Sequence, residues 1–180
     1  MRQDELEHIL RAACAIVHER EVLVIGSQAI LGSYSDEVLP REATRSIEAD
    51  VAFMDDPDES KSDAVDGAIG EESPFHREFG VYGQGVGLAT AILPEGWRER
   101  LVRLAPIDPH GSVAWCLDPH DLVVAKLVAG REKDYDFAKA LVGARLIETN
   151  LLRERTLQLP VVEGIRRRIL SWLDRLVAGG

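Results

Sequence analysis

The chain has 180 residues, 46% hydrophobic, 29% charged and 6% aromatic, a balance that suits one globular core and excludes collagen-like, coiled-coil and wholly disordered chains. Its formal charge of −10 is concentrated between Asp36 and Glu72, where thirteen acids face three bases; elsewhere eighteen acids and eighteen bases cancel. A uniformly acidic chain would bind nucleic acid poorly, whereas a neutral body with one concentrated acidic segment points instead to a local cation site or a solvated loop. The longest apolar runs, 22–25 and 122–129, are far too short to cross a bilayer. The first twenty residues carry four acids and no apolar h-region, so the expectation is a cytoplasmic chain with no secretory signal and no membrane partner. Cys14 and Cys116 lie in apolar contexts without metal-ligand spacing and read as reduced core residues.

Residues 4–20 carry Leu6, Ile9, Leu10, Ala13, Ile16 and Val17 at helical spacing, with charges on the opposite face. A short buried strand follows at 22–25, ended by Gly26-Ser27, and 28–32 reads as the opening of a second helix. After an irregular link at 39–45, residues 46–53 alternate polar and apolar side chains, which predicts a half-buried strand with Glu48 and Asp50 on one face. Residues 63–71 fit one or two helical turns, 75–87 a hairpin-like stretch, 89–93 another strand, and 97–104 a strand or short helix. Asp118-Pro119 is a strong helix start, and the predicted helix runs to about residue 141. Two further helices, 146–159 and 161–177, flank Pro160.

Two constellations carry chemistry. A strand ending in Gly26-Ser27 allows close backbone approach and adds a hydroxyl donor, as phosphate binding requires. Two carboxylates two residues apart on a strand, Glu48 and Asp50, suit a shared divalent cation, magnesium or manganese, beside substrate phosphates. A turn glycine and two solvent-facing acids on an edge strand is the simpler reading of either motif taken alone. The second constellation runs from Lys126 through Arg131-Glu132-Lys133-Asp134-Tyr135-Asp136. On one continuous helix Lys126, Gly130, Lys133, Asp134 and Phe137 share a face. Lys126 interrupts an apolar run, a costly place for a charge without a partner or a cleft; a snorkelling lysine before a solvated helix end is the alternative.

These motifs resemble the nucleotidyltransferase superfold, whose signature is strand, Gly-Ser, helix, then an acid-x-acid strand. The departures are Glu48 in place of the more usual aspartate, a long segment between Ser27 and Glu48, and no acid in 89–93 where the family often adds a third carboxylate. The stretch Pro119 to Asp136 is similar to the helix after the catalytic sheet in AbiEii- and MenT-type nucleotidyltransferases, commonly the toxins of toxin–antitoxin pairs. Asp66 to His76 is similar to a block in short bacterial chains known as predicted nucleotidyltransferases. The resemblance implies an α/β (α+β) fold, a nucleotidyltransferase-like mixed sheet flanked by helices with a helical C-terminal part. It places the catalytic sheet region in residues 1–115 and a packed helical region in 116–180. It further implies nucleotide transfer from a nucleoside triphosphate to an RNA (a tRNA 3′ end among the candidates) or protein acceptor, and an antitoxin partner. Gly26, Ser27 and Lys126 would hold the nucleotide, Glu48 and Asp50 the metal, and Asp134 or Asp136 would orient Lys126 or assist the metal. A catalytically idle nucleotide- or partner-binding module on the same fold is the competing reading, favoured by Glu48 and the missing third acid.

Less specific features remain. Asp55 to Glu59 lacks the glycine and ligand spacing of a calcium loop. Gly83-x-Gly85-x-Gly87 has no following helix signal, which rejects dinucleotide binding and leaves a strand able to close over a substrate. His76 fits a base or ribose contact or a structural hydrogen bond. Arg153, Arg155, Arg166, Arg167 and Arg168 form a basic tail that suits an RNA backbone, an acidic partner or a solvated helix face.

Overall fold

A computed structural model describes residues 1–104 and 111–178. Helix α1 (Gln3–Val17) turns its apolar stripe inward, burying Leu6, Ile9, Leu10, Ala13 and Cys14. It ends at His18 in a left-handed conformation and leads into β1 (Glu21–Val24). The predicted second helix is a 3-10 segment, Ser27–Gly32, and the link before the acidic strand holds a one-turn helix α2 (Arg41–Thr44). Strand β2 (Glu48–Ala52) precedes α3 (Ser60–Ile69). Asp56 starts α3: its two carboxylate oxygens accept from the backbone N–H of Lys61 and of Ser62, each at 2.9 Å. The acidic loop is therefore engaged as a helix cap.

Three expectations are corrected in the middle of the chain. Residues 75–87 are not a hairpin: Ser73 Oγ accepts from the His76 N–H at 3.1 Å, Pro74 takes the first helical position, and α4 (Pro74–Phe79) ends at Gly80, φ 71°. Strand β3 (Tyr82–Gly85) then pairs parallel to β2. Residues 89–93 form no strand; a 3-10 turn, Leu88–Thr90, stands there. The long helix predicted from residue 118 is two helices. Gly130, φ 68°, closes α5 (Pro119–Ala129), and α6 (Glu132–Gly143) starts a new axis.

A 3-10 turn at Trp97–Arg100, the short strand β4 (Val102–Arg103) and β5 (Val113–Cys116) complete the sheet, in the order β3-β2-β1-β5-β4. β1 is antiparallel to β2 and parallel to β5. Helices α7 (Thr149–Leu157) and α8 (Glu163–Ala178) pack beside α5. The fold is thus an α/β mixed sheet flanked by helices, with a helical C-terminal part. One apolar core runs from α1 through the sheet to Leu152, Ile169 and Leu173.

The two faces of β2 and β3 do different work. A Cβ on Gly83 would lie 2.7 Å from Ile9 Cγ2, and one on Gly85 1.8 Å from the Ser62 carbonyl oxygen. Those glycines let α1 and α3 lie directly on β3, so close packing and not closure over a substrate accounts for the repeat. On the opposite face the parallel register sets Tyr82 beside Glu48 and Gln84 beside Asp50. Helix α5 is anchored by Asp121, which is 0% exposed. Its carboxylate accepts from Arg100 Nε at 2.8 Å and Nη2 at 3.1 Å and faces Arg155 Nε at 3.1 Å. This network ties α5 to α7 and to the turn before β4, fixing the helix that carries Lys126.

Candidate active site

The carboxyl groups of Glu48 and Asp50 come within hydrogen-bonding reach of each other. Burial, and then the charge of Glu48, push the Asp50 carboxyl up to about 6 despite the counter-effect of Lys126 and Arg131. Tyr82 Oη donates to Glu48 Oε2 at 3.1 Å; burial and the neighbouring carboxylate raise that phenol to about 12, so it remains a donor. The His76 ring lies 4.7 Å from the Tyr82 ring, and His76 Nδ1 accepts from the Glu72 N–H at 3.1 Å. His76 is thus a structural hydrogen-bonder that braces Tyr82.

Gly26 closes the other side of the pair. A Cβ there would fall 1.5 Å from Asp50 Oδ2, so this position admits glycine because a carboxylate occupies the space. Gly26, Asp50, Lys126 and Arg131 line a cleft of about 150 Å³, with Ile25 and Leu122 among its apolar walls.

The cations reach this cleft through the break at Gly130. Lys126, with 15% of its side chain exposed, sits 3.5 Å from Asp134 Oδ1 and 4.9 Å from the Phe137 ring centroid. Burial lowers its affinity for the proton, opposed by Asp134 and Asp50. Arg131 donates from Nε to Asp134 Oδ2 at 2.8 Å and from Nη2 to Oδ1 at 3.3 Å. Asp134 is fully buried; burial alone would raise its carboxyl, but the hydrogen bond from Arg131 and the charge of Lys126 hold it below the ordinary carboxylate range. It also accepts the Arg131 N–H at 3.2 Å, which caps α6. Asp134 therefore fixes two cations and one helix start. A shared face of a continuous helix does not bring Lys126 and Asp134 together; the turn between two helices does.

The fold gathers Gly26, Glu48, Asp50, Lys126 and Asp134. Ser27 lies on the far side of Lys126, lining an adjoining notch, and its hydroxyl accepts from Gln28 Nε2 at 3.4 Å. Asp136 stands apart: it is exposed and lines a groove with Pro40, Arg45 and Lys139. Sequence reasoning did not assign Tyr82, Gln84 or Arg131 to the site. The parallel pairing of β2 with β3 is the missing signal for the first two, and the glycine turn for the third. Among the described residues no group of three or more His, Cys, Asp or Glu side chains gathers as a metal cluster. The neighbouring strand offers the amide of Gln84 beside Asp50, not a third acid.

The basic tail is largely engaged within the chain. Arg155 faces Asp121, Arg153 pairs with Asp174, Arg166 with Glu163, and Arg168 donates to the Leu127 and Val128 carbonyls at 2.8 Å. Arg167, largely exposed, pairs with Glu163. Cys14 and Cys116 are buried and form no disulfide among the described residues, and burial pushes the Cys116 thiol up to about 12. No helix among the described residues is long and apolar enough to cross a membrane.

The family described as "Nucleotidyltransferase of unknown function (DUF6036)" matches residues 4–166. The chain belongs to this family. The match spans the sheet, the carboxylate pair and both helices that carry the cations, so the nucleotidyltransferase assignment rests on the whole site region and not on one motif. No curated protein and no solved structure matches the chain.

Proposed function

We propose that this nucleotidyltransferase moves a nucleoside monophosphate unit from a nucleoside triphosphate to an acceptor hydroxyl at the Glu48–Asp50 cleft. The observation that supports this most is that Asp50, its carboxyl pushed up by burial and by the neighbouring Glu48, lines one cleft with Lys126 and Arg131. Carboxylates are hard oxygen donors, and two of them crowded enough to raise one proton affinity form a fitting seat for magnesium or manganese. Glu48 and Asp50 would hold the ion, with the Gln84 amide beside Asp50 on the neighbouring strand. When bound, the ion neutralises charge on the phosphate oxygens and acidifies the attacking hydroxyl.

The chain's own residues supply the rest. Gly26 presents backbone without a side chain, and Ser27 offers a hydroxyl donor to phosphate. Lys126 and Arg131 offset the charge of the triphosphate, while Asp134 holds both in place without touching the substrate. The acceptor oxygen forms a bond to the α-phosphorus as the α–β phosphoanhydride bond breaks. Pyrophosphate leaves with that electron pair, and Asp50 accepts the hydroxyl proton. By resemblance, the acceptor is an RNA, a tRNA 3′ end among the candidates, or a protein hydroxyl, and the role is that of a toxin held by an antitoxin.

A second reading rests on Gln84. A neutral amide beside Asp50 leaves two acids for the cation, which suits a module that binds nucleotide and metal without turnover. Incubation of each α-labelled nucleoside triphosphate with magnesium, bacterial RNA and lysate proteins separates the two. Label on an acceptor with wild type and not with Asp50→Asn supports transfer; magnesium-dependent binding without label on any acceptor supports the idle module.

A further inference from the structure

Lys126 separates two cavities. One is the cleft with Asp50; the other is a notch of about 70 Å³ lined by Ser27, Arg45, Lys133, Glu42 and Asp134, with Lys126 at the junction. Three cationic side chains meet two acids there, and Arg131, from outside the notch, already matches Asp134. Arg45 and Lys133 are exposed, and no ion pair among the described residues ties either head. They come from separate elements, the residue after α2 and the first turn of α6, so the fold and not the local sequence brings them together.

We propose that this notch is a phosphate subsite, in which Arg45 and Lys133 grip a phosphate group one step beyond the one held between Asp50 and Lys126. This rests on the reading of the cleft as a nucleotide site and deepens it. The notch, at about 70 Å³, takes one small group, Lys126 is shared between the two cavities, and a guanidinium with an ammonium matches a phosphate by charge and hydrogen bonding. Glu42 at the rim disfavours a second negative group alongside and so limits the notch to one. The phosphate comes from one of two sources: the tail of the nucleotide or the backbone of an acceptor chain.

Titration calorimetry of the full chain with five probes decides the matter: magnesium tripolyphosphate, a non-hydrolysable nucleoside triphosphate, the corresponding monophosphate, and a diribonucleotide with and without a 5′ phosphate. The double variant Arg45→Ala/Lys133→Ala changes two exposed side chains; Arg20→Ala/Arg175→Ala removes the same charge elsewhere on the surface. The expected result is at least a tenfold weaker binding by the first variant of the probes that reach the notch, with the second variant equal to wild type. Loss confined to tripolyphosphate and triphosphate assigns the notch to the nucleotide tail, and loss confined to the 5′-phosphorylated dinucleotide assigns it to the acceptor. Equal binding of every probe by wild type and the first variant overturns the proposal, as does an equal loss in both variants. Asp50→Asn serves as the separate check on the cleft: label transfer unaffected by that change overturns the nucleotide-site reading even where the notch binds phosphate.

Discussion

Gly26 and Asp50 share one volume of space: a methyl group on Gly26 would sit 1.5 Å from Asp50 Oδ2 and 2.8 Å from its Cβ. The glycine before Ser27 is therefore required by the Asp50 carboxylate itself. Gly26→Ala forces that carboxylate out of the cleft. The expected outcome is a loss of about 1–3 kcal/mol of stability from overpacking, together with weakened manganese binding. Thermal denaturation and manganese paramagnetic resonance check it; normal manganese binding in a folded Gly26→Ala chain contradicts it.

Asp50 carries a pH signature in the metal-free protein. Its folded carboxyl, near 6, lies above the ordinary value of 3.8, so the native state holds the proton more tightly than the unfolded chain. The favourable contribution is complete below about pH 4 and is lost as the pH rises to about 6, leaving a penalty of up to about 3 kcal/mol above it. With chelator present, Asp50→Asn is expected to raise Tm at pH 8 and to match wild type near pH 4. Manganese stabilises wild type at pH 8 and leaves the variant unchanged. A variant no more stable than wild type at pH 8 contradicts the charge-stressed pair.

Asp134 and Asp136, two residues apart, are expected to behave as opposites. Asp134→Ala strips the partner from Lys126 and Arg131 and uncaps α6, with an expected cost of about 3–5 kcal/mol for a buried charge left unpaired. Asp136→Ala stays within about 0.5 kcal/mol, as for an exposed side chain without such a network. Urea denaturation of both variants reads the difference directly.

Much of this site is legible in the chain. Period-two alternation from Ser46 to Phe53 gives the strand and the common face of Glu48 and Asp50, because one side of β2 is buried. A lone lysine in the run 122–129 marks Lys126, because a charge in an apolar stripe needs a reason. The limits are equally physical. A single glycine inside a helical pattern costs little enough to be tolerated, so periodicity alone does not show that Gly130 turns the chain. Four-residue strands such as β5 carry too little pattern to separate them from buried helix or loop. Strand pairing is nonlocal, so nothing near Tyr82 in sequence announces Glu48. At Ser73-Pro74 the cap signal was present, and the aromatic residues after it read more readily as strand.

The phenol of Tyr82 reaches Glu48. Tyr82→Phe keeps the ring against His76 and removes the hydrogen bond to Glu48 Oε2. Its expected effect is roughly tenfold weaker manganese binding, as for other groups that orient a metal ligand, with little change in Tm. Unchanged affinity for manganese would show that Glu48 is positioned without the phenol.

The central claim is that this cleft transfers nucleotide and not phosphate. It is tested most directly by running one reaction twice, with the triphosphate labelled at the α-phosphorus and then at the γ-phosphorus, using wild type and Asp50→Asn. The account predicts α label on the acceptor, γ label released as pyrophosphate, and neither change with the variant. Label from the γ position on the acceptor, or equal α transfer by wild type and Asp50→Asn, would contradict it.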